Sequence, residues 1–230
     1  NEDGKIIEGG KLLITDMDVK VGSSTAKNLD FGDNIKYEAK PGDIVKFQME
    51  FKNNFSRNGS DFEDLDIEDI EVTVTILGID DGDDLDKDAK EFDLKADKDD
   101  KIDVEFTIPL EVEEDTNIEV LIEASGDDED GTTHEVKYEL TLEVQKEDNE
   151  VLFTRNSLTP SEIKCGRTVQ LSTAVINTGA DDEDGVVLEV ANTELGVSSK
   201  ETFDLSNDAF DVDSKFTKTY TFSVPQEVAP

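Results

Sequence analysis

The feature that most constrains the fold is an alternation of apolar and polar residues that recurs along most of the chain. Side chains of a β-strand point to opposite faces in turn, so a period of two residues predicts strands with one buried face. Clusters of Asp, Gly, Asn and Lys separate these stretches and predict turns. This spacing of strands and turns predicts an all-β sandwich. The alternating residues are Val45, Phe47, Met49, Phe51, Val72, Val74, Ile76, Val104, Phe106, Ile108, Ile118, Val120, Ile122, Val136, Tyr138, Leu140, Leu142 and Val144.

An internal repeat is the second constraint, because KPGDIVKFQMEFKNN (40–54) recurs in outline as KCGRTVQLSTAVINT (164–178). Both stretches have Lys-x-Gly, then apolar residues at alternate positions, then Asn. Three more pairs of similar segments follow in the same order, which predicts two tandem copies of one sandwich. The first copy occupies 1–148, with an N-terminal extension, and the second occupies 149–230. The further pairs are 72–76 with 186–190, 91–94 with 202–205, and 104–112 with 220–228.

The two copies differ at their ends. After Pro109 the first copy continues through two more alternating segments, 117–124 and 135–145, whereas five residues follow Pro225 in the second. A sandwich without its last two strands exposes core and unpaired strand edges. We therefore expect the second copy to be C-terminally incomplete, completed by downstream residues or by a neighbouring molecule. The N-terminal stretch GKIIEGGKLLITDMDV is a candidate donor of that kind.

Four residues of the repeat have predicted scaffold roles. Gly42 and Gly166 precede a strand, where a turn requires the positive φ that glycine adopts without a Cβ penalty. Asn53 and Asn177 end the strands, and Asn side chains bond to neighbouring backbone groups. These residues are predicted to shape the fold and not to bind a ligand.

The net charge of −37 limits the partners of the chain. An acidic surface repels nucleic-acid phosphates and anionic membranes and favours cations or basic partners. We therefore expect no nucleic-acid partner. Membrane anchoring is expected only through segments outside this chain, since no run of about 18 apolar residues is present. Adaptation to extreme salt is an open alternative that the predominance of lysine among the 22 basic residues weakens.

The second copy carries a recognisable pattern, built on Pro160, Gly166, Val169, Asn177, Gly179 and then Val186 to Val190. This pattern resembles the cell-adhesion-related domain of bacterial and archaeal surface proteins. The first copy is similar, but Asn53-Asn54 replaces Asn-x-Gly and an acidic insert occupies 59–69. The resemblance implies tandem immunoglobulin-like modules of an extracellular protein of the surface-layer type. It implies no fixed binding residues.

The acidic loops are where a metal site is conceivable, and the densest is DDGDDLDKD (80–88). An EF-type calcium loop needs Gly at its sixth position and Glu at its twelfth. Counting from Asp84 places Ala89 and Lys95 there, so that motif fails. The loop is interpreted as a solvated turn or as a weak calcium site, and no other cofactor is predicted. The candidate ligands are Asp80, Asp81, Asp83, Asp84, Asp86 and Asp88.

Two glycosylation sequons begin at Asn54 and Asn58, within one Asn- and Ser-rich loop. Because such sequons also occur by chance, their occupancy is an open question.

Catalysis is not predicted. Cys165 is the only cysteine, and His134, the only histidine, lies in a turn of the other copy. A glycosidase needs two carboxylates in a cleft, usually beside aromatic side chains that stack on sugar. Trp is absent and most Phe residues fall on the core face, so we predict that the chain is not an enzyme.

Three non-catalytic functions remain. The favoured one is a structural module of a cell-surface layer that assembles with neighbouring copies. Cations are candidates for bridging those copies, so calcium is the one cofactor retained. The second is an adhesin or receptor ectodomain that binds a protein or glycan. The third is a subunit of an extracellular filament in which a neighbour's strand completes the second sandwich.

Overall fold

The computed structural model describes residues 5–6, 10–56, 64–162, 164 and 166–224. These residues form several antiparallel sheets, so the predicted all-β class is confirmed, and the architecture fits a β-sandwich. The chain divides into two compact units, Asn1–Gln145 (unit 1) and Lys146–Pro230 (unit 2). The sequence placed this division between residues 148 and 149. No helix in the described part of the chain is long and apolar enough to cross a membrane.

The described residues of unit 1 form two antiparallel sheets, with strands β1 (Lys5–Ile6), β2 (Leu12–Val21), β3 (Ser24–Ala26), β4 (Ile44–Asn53), β5 (Ile67–Asp80), β6 (Asp83–Asp88), β7 (Phe92–Leu94), β8 (Asp99–Thr107), β9 (Asp115–Asp128) and β10 (Thr133–Val144). One sheet has the order β3-β2-β4-β8. The other has the order β1-β10-β9-β5-β6, and β7 also pairs with β5.

Both sheets contribute alternate side chains to one core of unit 1. On β4, the predicted inward residues Val45, Phe47, Met49 and Phe51 are all buried. The ring of Phe47 meets that of Phe106 on β8 edge to face, with centroids 6.0 Å apart. Because a buried side chain of this size contributes about 1.5–3 kcal/mol, this alternation is a main source of the stability of unit 1.

The outer edge of β10 is covered within unit 1. β1 pairs with its first half at Val136 and Lys137. Along its second half, the N–H groups of Gly32, Ile35 and Ala39 donate to β10 carbonyls at 2.8 Å each. Covering an edge in this way satisfies backbone groups that would otherwise pair with another chain.

The described residues of unit 2 form a smaller pair of sheets, with strands β11 (Val151–Thr159), β12 (Thr168–Asn177), β13 (Glu183–Asn192), β14 (Val197–Leu205) and β15 (Lys215–Ser223) and a 3₁₀ turn at Val212–Ser214. One sheet has the order β11-β12-β15, and β13 pairs with β14 in the other.

The pairing of β12 with β15 repeats that of β4 with β8. Val169 lies opposite Phe222 in unit 2, as Val45 lies opposite Phe106 in unit 1. Segments 44–53 and 168–177 therefore have the same strand pairing in the two units.

The two turn glycines have the predicted geometry. Gly42 has φ of 81° and Gly166 has φ of 78°. Each N–H donates to the carbonyl that follows the partner strand, Ile108 in unit 1 at 3.0 Å and Val224 in unit 2 at 2.8 Å. The positive-φ role predicted for both residues is confirmed.

The two asparagines that end β4 and β12 are buried, and their side chains hydrogen-bond to backbone groups. The Asn53 amide donates to the carbonyls of Leu65 (2.9 Å) and Leu94 (3.0 Å) and accepts from the N–H of Phe55 (2.9 Å). Asn177 donates to two carbonyls across unit 2 and accepts from the N–H of Gly179 at 2.8 Å. Their predicted scaffold role is confirmed: Asn53 joins three chain segments, and Asn177 joins the loop after β12 to the end of β14.

A bulge with one positive-φ residue recurs in both units and corrects the predicted register. It lies at Asp69 (φ 51°) in β5 and at Gly185 (φ 67°) in β13. The N–H of each bulge residue donates to a carboxylate on a later strand, Asp93 on β7 at 3.0 Å and Asp204 on β14 at 2.7 Å. Aligning the bulges makes Val72 equivalent to Leu188, two residues from the predicted match with Val186.

The treatment of the N-terminal stretch as an extension and a strand donor is wrong for Leu12–Val21, because these residues form β2 inside the unit 1 sheet. β2 pairs with β4, and β11 pairs with β12 in the equivalent way. Both strands carry a register shift at a threonine, Thr15 in β2 and Thr154 in β11. β2 and β11 are therefore a further pair of repeated strands.

Candidate functional site

The most exposed apolar surface of the described residues lies on unit 2. Of the five large hydrophobic side chains that are well exposed, only Ile44 belongs to unit 1. The other four are Phe153, Leu158, Val187 and Val212, with 49% to 82% of their surface accessible. This difference between the units directs attention to unit 2, because exposed apolar surface on a soluble protein can mark an interaction site.

The inner face of unit 2 is less covered than that of unit 1. Val19 on β2 is fully buried, and β10 lies against that strand. Its equivalent on β11, Leu158, is 49% exposed. Three further inward side chains, Leu171, Val190 and Phe222, are only partly buried, whereas their equivalents in unit 1 are buried. We call this surface the open face, and it consists of Leu158, Leu171, Val190 and Phe222.

The backbone of β13 has one edge without a strand partner among the described residues. In unit 1, the equivalent strand β5 pairs with β6 and β7 on one side and with β9 on the other. In unit 2, β13 pairs with β14 alone. We call its other side the open edge. Unit 2 contains, within its described residues, no counterpart of β9 and β10, as the shorter second copy predicted.

A buried hydroxyl accompanies the open face. Tyr220 on β15 is 8% exposed, and its hydroxyl has no hydrogen-bond partner among the described residues. Burial is the main cause that raises the pKa of Tyr220, and the nearby carboxylate of Glu201 is the second. Because buried hydroxyls are normally hydrogen-bonded, this side chain is incompletely satisfied in the isolated chain.

The six candidate calcium ligands lie on and next to one exposed hairpin. Asp81 (φ 50°) and Gly82 (φ 85°) form the two-residue turn between β5 and β6, a common role for Asp-Gly. The Asp84 carboxylate accepts from the N–H of Gly78 at 2.8 Å, and that of Asp88 accepts from the Thr73 hydroxyl at 2.7 Å. Among the described residues, no group of three His, Cys, Asp or Glu residues is placed to hold a metal. The turn and strand geometry thus accounts for these aspartates, and the calcium site stays a prediction.

Of the two sequons, the one at Asn58 lies outside the described residues. Asn54 follows β4 directly, and its side chain is exposed. Its neighbour Phe55 is buried, with its ring 5.4 Å from that of His134. A glycan on Asn54 would therefore project into solvent from a backbone anchored by Phe55, and its occupancy stays a prediction.

His134 is buried on β10 and both ring nitrogens are engaged. Nδ1 accepts from the backbone N–H of Lys11 at 3.2 Å, and Nε2 lies 3.0 Å from Asp128 Oδ2. Since a backbone N–H can only donate, Nδ1 carries no proton and Nε2–H donates to the carboxylate. His134 is therefore a structural residue of unit 1. Cys165 lies outside the described residues.

No protein-family model and no curated protein sequence matches this chain. The resemblance to the cell-adhesion-related domain therefore stays a prediction. Among solved structures, the chain is similar to Spo0M, a sporulation control protein from Bacillus subtilis. The sequence identity is 12%, the match covers 93% of this chain and 91% of that chain, and the TM-score is 0.30. A superposition at that level gives no basis for inferring a shared fold or function.

Two shallow depressions of roughly equal size lie on unit 1. One, of about 300 Å³, is lined by Glu71, Glu123, Glu135 and Lys137 among others, and Lys137 pairs with Glu123. The other, of about 310 Å³, lies beside Asp16, Asp30 and Tyr138. The Tyr138 hydroxyl donates to the carbonyl of Leu29 at 2.6 Å, which makes it part of the scaffold.

Replacing Asp128 with asparagine should lower the free energy of unfolding of unit 1 by about 2 kcal/mol at neutral pH. Burial disfavours the Asp128 carboxylate, but the N–H of Thr132, the His134 ring and the N–H of Asp130 outweigh burial and hold its pKa below the usual value. An amide would turn an N–H toward Nε2–H of His134. Urea unfolding followed by circular dichroism measures the loss, with the exposed Asp127→Asn as a matched control.

The same pair predicts a pH dependence. A depressed carboxylate pKa adds stability that is present above the unfolded-state pKa, about 3.9, and is lost as the pH falls through the folded-state pKa. The difference between wild type and Asp128→Asn should therefore be constant from about pH 7 to pH 5 and shrink below about pH 4. A stability difference between wild type and Asp128→Asn that does not change with pH would show that the charge of the Asp128 carboxylate does not contribute to stability.

Proposed function

We propose that the chain is a non-catalytic structural module of an extracellular, surface-layer-type protein, built from two tandem immunoglobulin-like sandwiches. The main observation behind this proposal is the repeated framework, in which the matched polar side chains hydrogen-bond to backbone groups. Repetition of a scaffold without repetition of a polar site is the property expected of a spacer or assembly unit. These pairs are Asn53 with Asn177, Asp66 with Asp182, and Asp93 with Asp204.

Strand order supports the immunoglobulin-like part of the proposal. An immunoglobulin-type sandwich places its first, second and fifth strands in one sheet and its third, sixth and seventh in the other. Unit 1 has β2, β4 and β8 adjacent in one sheet and β5, β9 and β10 adjacent in the other. In this scheme β9 and β10 are the last two strands, and unit 2 contains the equivalents of the rest.

The charge supports an extracellular role in contact with cations or basic neighbours. At −37 the chain repels other acidic surfaces, so close association of copies requires screening or bridging by cations. We keep calcium as a bridging candidate and the glycans on Asn54 and Asn58 as candidates for surface modification. Nucleic acid is disfavoured as a partner for the same electrostatic reason.

Salt should stabilise the chain against heat. Raising sodium chloride from about 0.01 M to about 1 M shortens the Debye length from roughly 30 Å to roughly 3 Å and weakens repulsion among the 59 acidic residues. The melting temperature measured by circular dichroism should therefore rise by several degrees. An unchanged melting temperature would contradict this. A higher melting temperature in calcium than in sodium at matched ionic strength would identify a specific calcium site. Equal melting temperatures would argue against such a site.

A filament subunit is the second candidate function, favoured by the open face and open edge of unit 2. A strand from a neighbouring molecule can add to an exposed sheet edge and bury apolar side chains at alternate positions. An adhesin or receptor ectodomain is the remaining alternative, and a distinct ligand-binding domain elsewhere in the same protein would favour it.

Labelling of cells from the source organism with antibodies against this chain tests the proposed function. We expect intact cells to be labelled without permeabilisation, and electron microscopy to show the label on a regular layer or on fibres. A layer supports the first candidate, and fibres support the second. Labelling only after permeabilisation would overturn the extracellular role.

A further inference from the structure

We propose that the open face and open edge of unit 2 bind a β-hairpin of a partner protein, one with the apolar alternation of β9–β10 and a basic residue opposite Glu189. The inference deepens the proposed assembly role and rests on it. Unit 1 supplies the argument, because it shows within one chain what covers the equivalent surface.

The first step concerns the backbone. β5 is paired along most of its length with β9, from Ile67 opposite Asp128 to Ile76 opposite Val120. The equivalent strand β13 has, among the described residues, no strand on that side. Unpaired backbone groups next to an apolar surface are costly to bury, so a strand that pairs with them is favoured over loose side-chain contact.

The second step concerns the apolar surface. In unit 1, Val120, Ile122, Leu140 and Leu142 on β9 and β10 are buried in the core. They share that core with Val19, whose equivalent Leu158 is half exposed. A hairpin with apolar residues at alternate positions would bury the open face at roughly 25 cal/mol per Å² of apolar surface.

The Tyr220 hydroxyl is an independent sign that something is missing from unit 2. It is buried and has no partner among the described residues, whereas its equivalent in unit 1 is the apolar Val104. A tyrosine at this inward position requires an acceptor or donor near its hydroxyl. A docked hairpin brings backbone carbonyls or polar side chains to that side of the sheet.

Charge distinguishes the occupant from the β9–β10 hairpin of this chain. In unit 1, Thr73 lies opposite Glu123, and in unit 2 the residue equivalent to Thr73 is Glu189, which lies opposite Lys200 on its β14 side. Two glutamates directly opposite each other on neighbouring strands are destabilising, whereas an opposite charge is favourable. Lys or Arg at the position of Glu123 is therefore favoured in the occupant over the native glutamate. The native β9–β10 hairpin is also already paired and buried in unit 1.

A peptide with the sequence of residues 115–144 and Glu123→Lys is the probe, and the full chain is the target. We expect saturable binding in a fluorescence anisotropy titration, at least tenfold weaker for the native peptide with Glu123. On the target, Val190→Asp should weaken binding at least tenfold because Val190 faces inward. Val187→Asp changes an outward-facing neighbour and should have a much smaller effect.

Cross-linking tests the register. The bulge alignment places Ala191 where Thr75 lies in unit 1, opposite Leu121. In a Cys165→Ser background, Ala191→Cys should form a disulfide with a peptide carrying Leu121→Cys and not with one carrying Glu119→Cys. Thr75→Cys in the target is the matched control and should not react, because β5 is already paired with β9.

The proposal is overturned if the probe does not bind, or if it binds the Val190→Asp variant as tightly as the wild type. It is also overturned if the chain alone forms a dimer that Val190→Asp dissociates, since a second copy would then be the occupant. The outcome is separable from the proposed function. Surface labelling of cells with no hairpin binding would leave the structural module standing and remove only its partner.

Discussion

Replacing Asn53 with alanine is expected to lower the free energy of unfolding of unit 1 by about 4 kcal/mol. The side chain is fully buried and makes three hydrogen bonds that join the end of β4 to the segments around Leu65 and Leu94. Alanine removes all three hydrogen bonds and leaves two carbonyls and one N–H without those partners. Asn177→Ala should have the same kind of effect on unit 2.

Urea unfolding followed by far-ultraviolet circular dichroism measures both losses. Asn54→Ala is the matched control for unit 1, because the adjacent side chain is exposed and its loss should cost less than about 0.5 kcal/mol. Asn156→Ala, also exposed, is the control for unit 2. Equal effects of Asn53→Ala and Asn54→Ala would show that the buried amide does not hold the repeat together.

Replacing Gly179 with alanine is expected to destabilise unit 2 by about 3 kcal/mol. A Cβ at this position would lie 2.7 Å from the backbone nitrogen of Glu150, 3.0 Å from the carbonyl oxygen of Asp148 and 3.1 Å from the Asn177 side chain. Because two of these atoms belong to the backbone of Asp148 and Glu150, relief requires a shift of that segment relative to Gly179. The glycine of the Asn-x-Gly sequence is therefore explained by close approach.

Gly196→Ala is the matched control for this prediction. Gly196 has φ of 66° and open space around the added Cβ, so only the backbone conformation penalises alanine, by about 1 kcal/mol. Thermal unfolding of the two variants measures the difference. A loss at Gly179 no larger than that at Gly196 would mean that the neighbouring backbone shifts freely.

Local residue chemistry made part of the fold predictable from the sequence. The strands around Phe47, Val74 and Leu140 follow from alternation, since each has one buried face. The positive φ of Gly42 and Gly166 follows from their place before a strand. The roles of Asn53 and Asn177 could be predicted because both end a repeated strand.

β-Bulges lie where the alternation of apolar and polar residues failed to predict equivalent strands or the correct register. At Thr15 and Thr154 an extra residue breaks the period of two, so β2 and β11 do not read as equivalent strands. At Asp69 and Gly185 a second bulge marks equivalent positions of the two copies. Because a shift of two residues keeps the same face of a strand inward, alternation alone could not detect the two-residue error in the match at Val186. Both bulge residues have positive φ, but one is Asp and the other is Gly. The equivalence of the two positions is therefore not apparent from the sequence.

The candidate sites depended on contacts that sequence does not carry. The many aspartates of the Asp80–Asp88 segment suggest a metal site. Its turn and its hydrogen bonds to Gly78 and Thr73 are seen only in the structure. The pairing of His134 with Asp128 links residues on two strands of a hairpin. The open face was foreseeable, since comparing the copies already showed that two strands had no counterpart in the second.

Amide hydrogen exchange along β13 tests the central claim most directly, namely that unit 2 repeats the framework of unit 1 around a face that it leaves open. In β5, with strands on both sides, successive amides should be protected. In β13 of the chain alone, only alternate amides, those bonded to β14, should be protected, because an antiparallel partner engages every second residue. Protection of successive β13 amides to the level of β5 would contradict the claim.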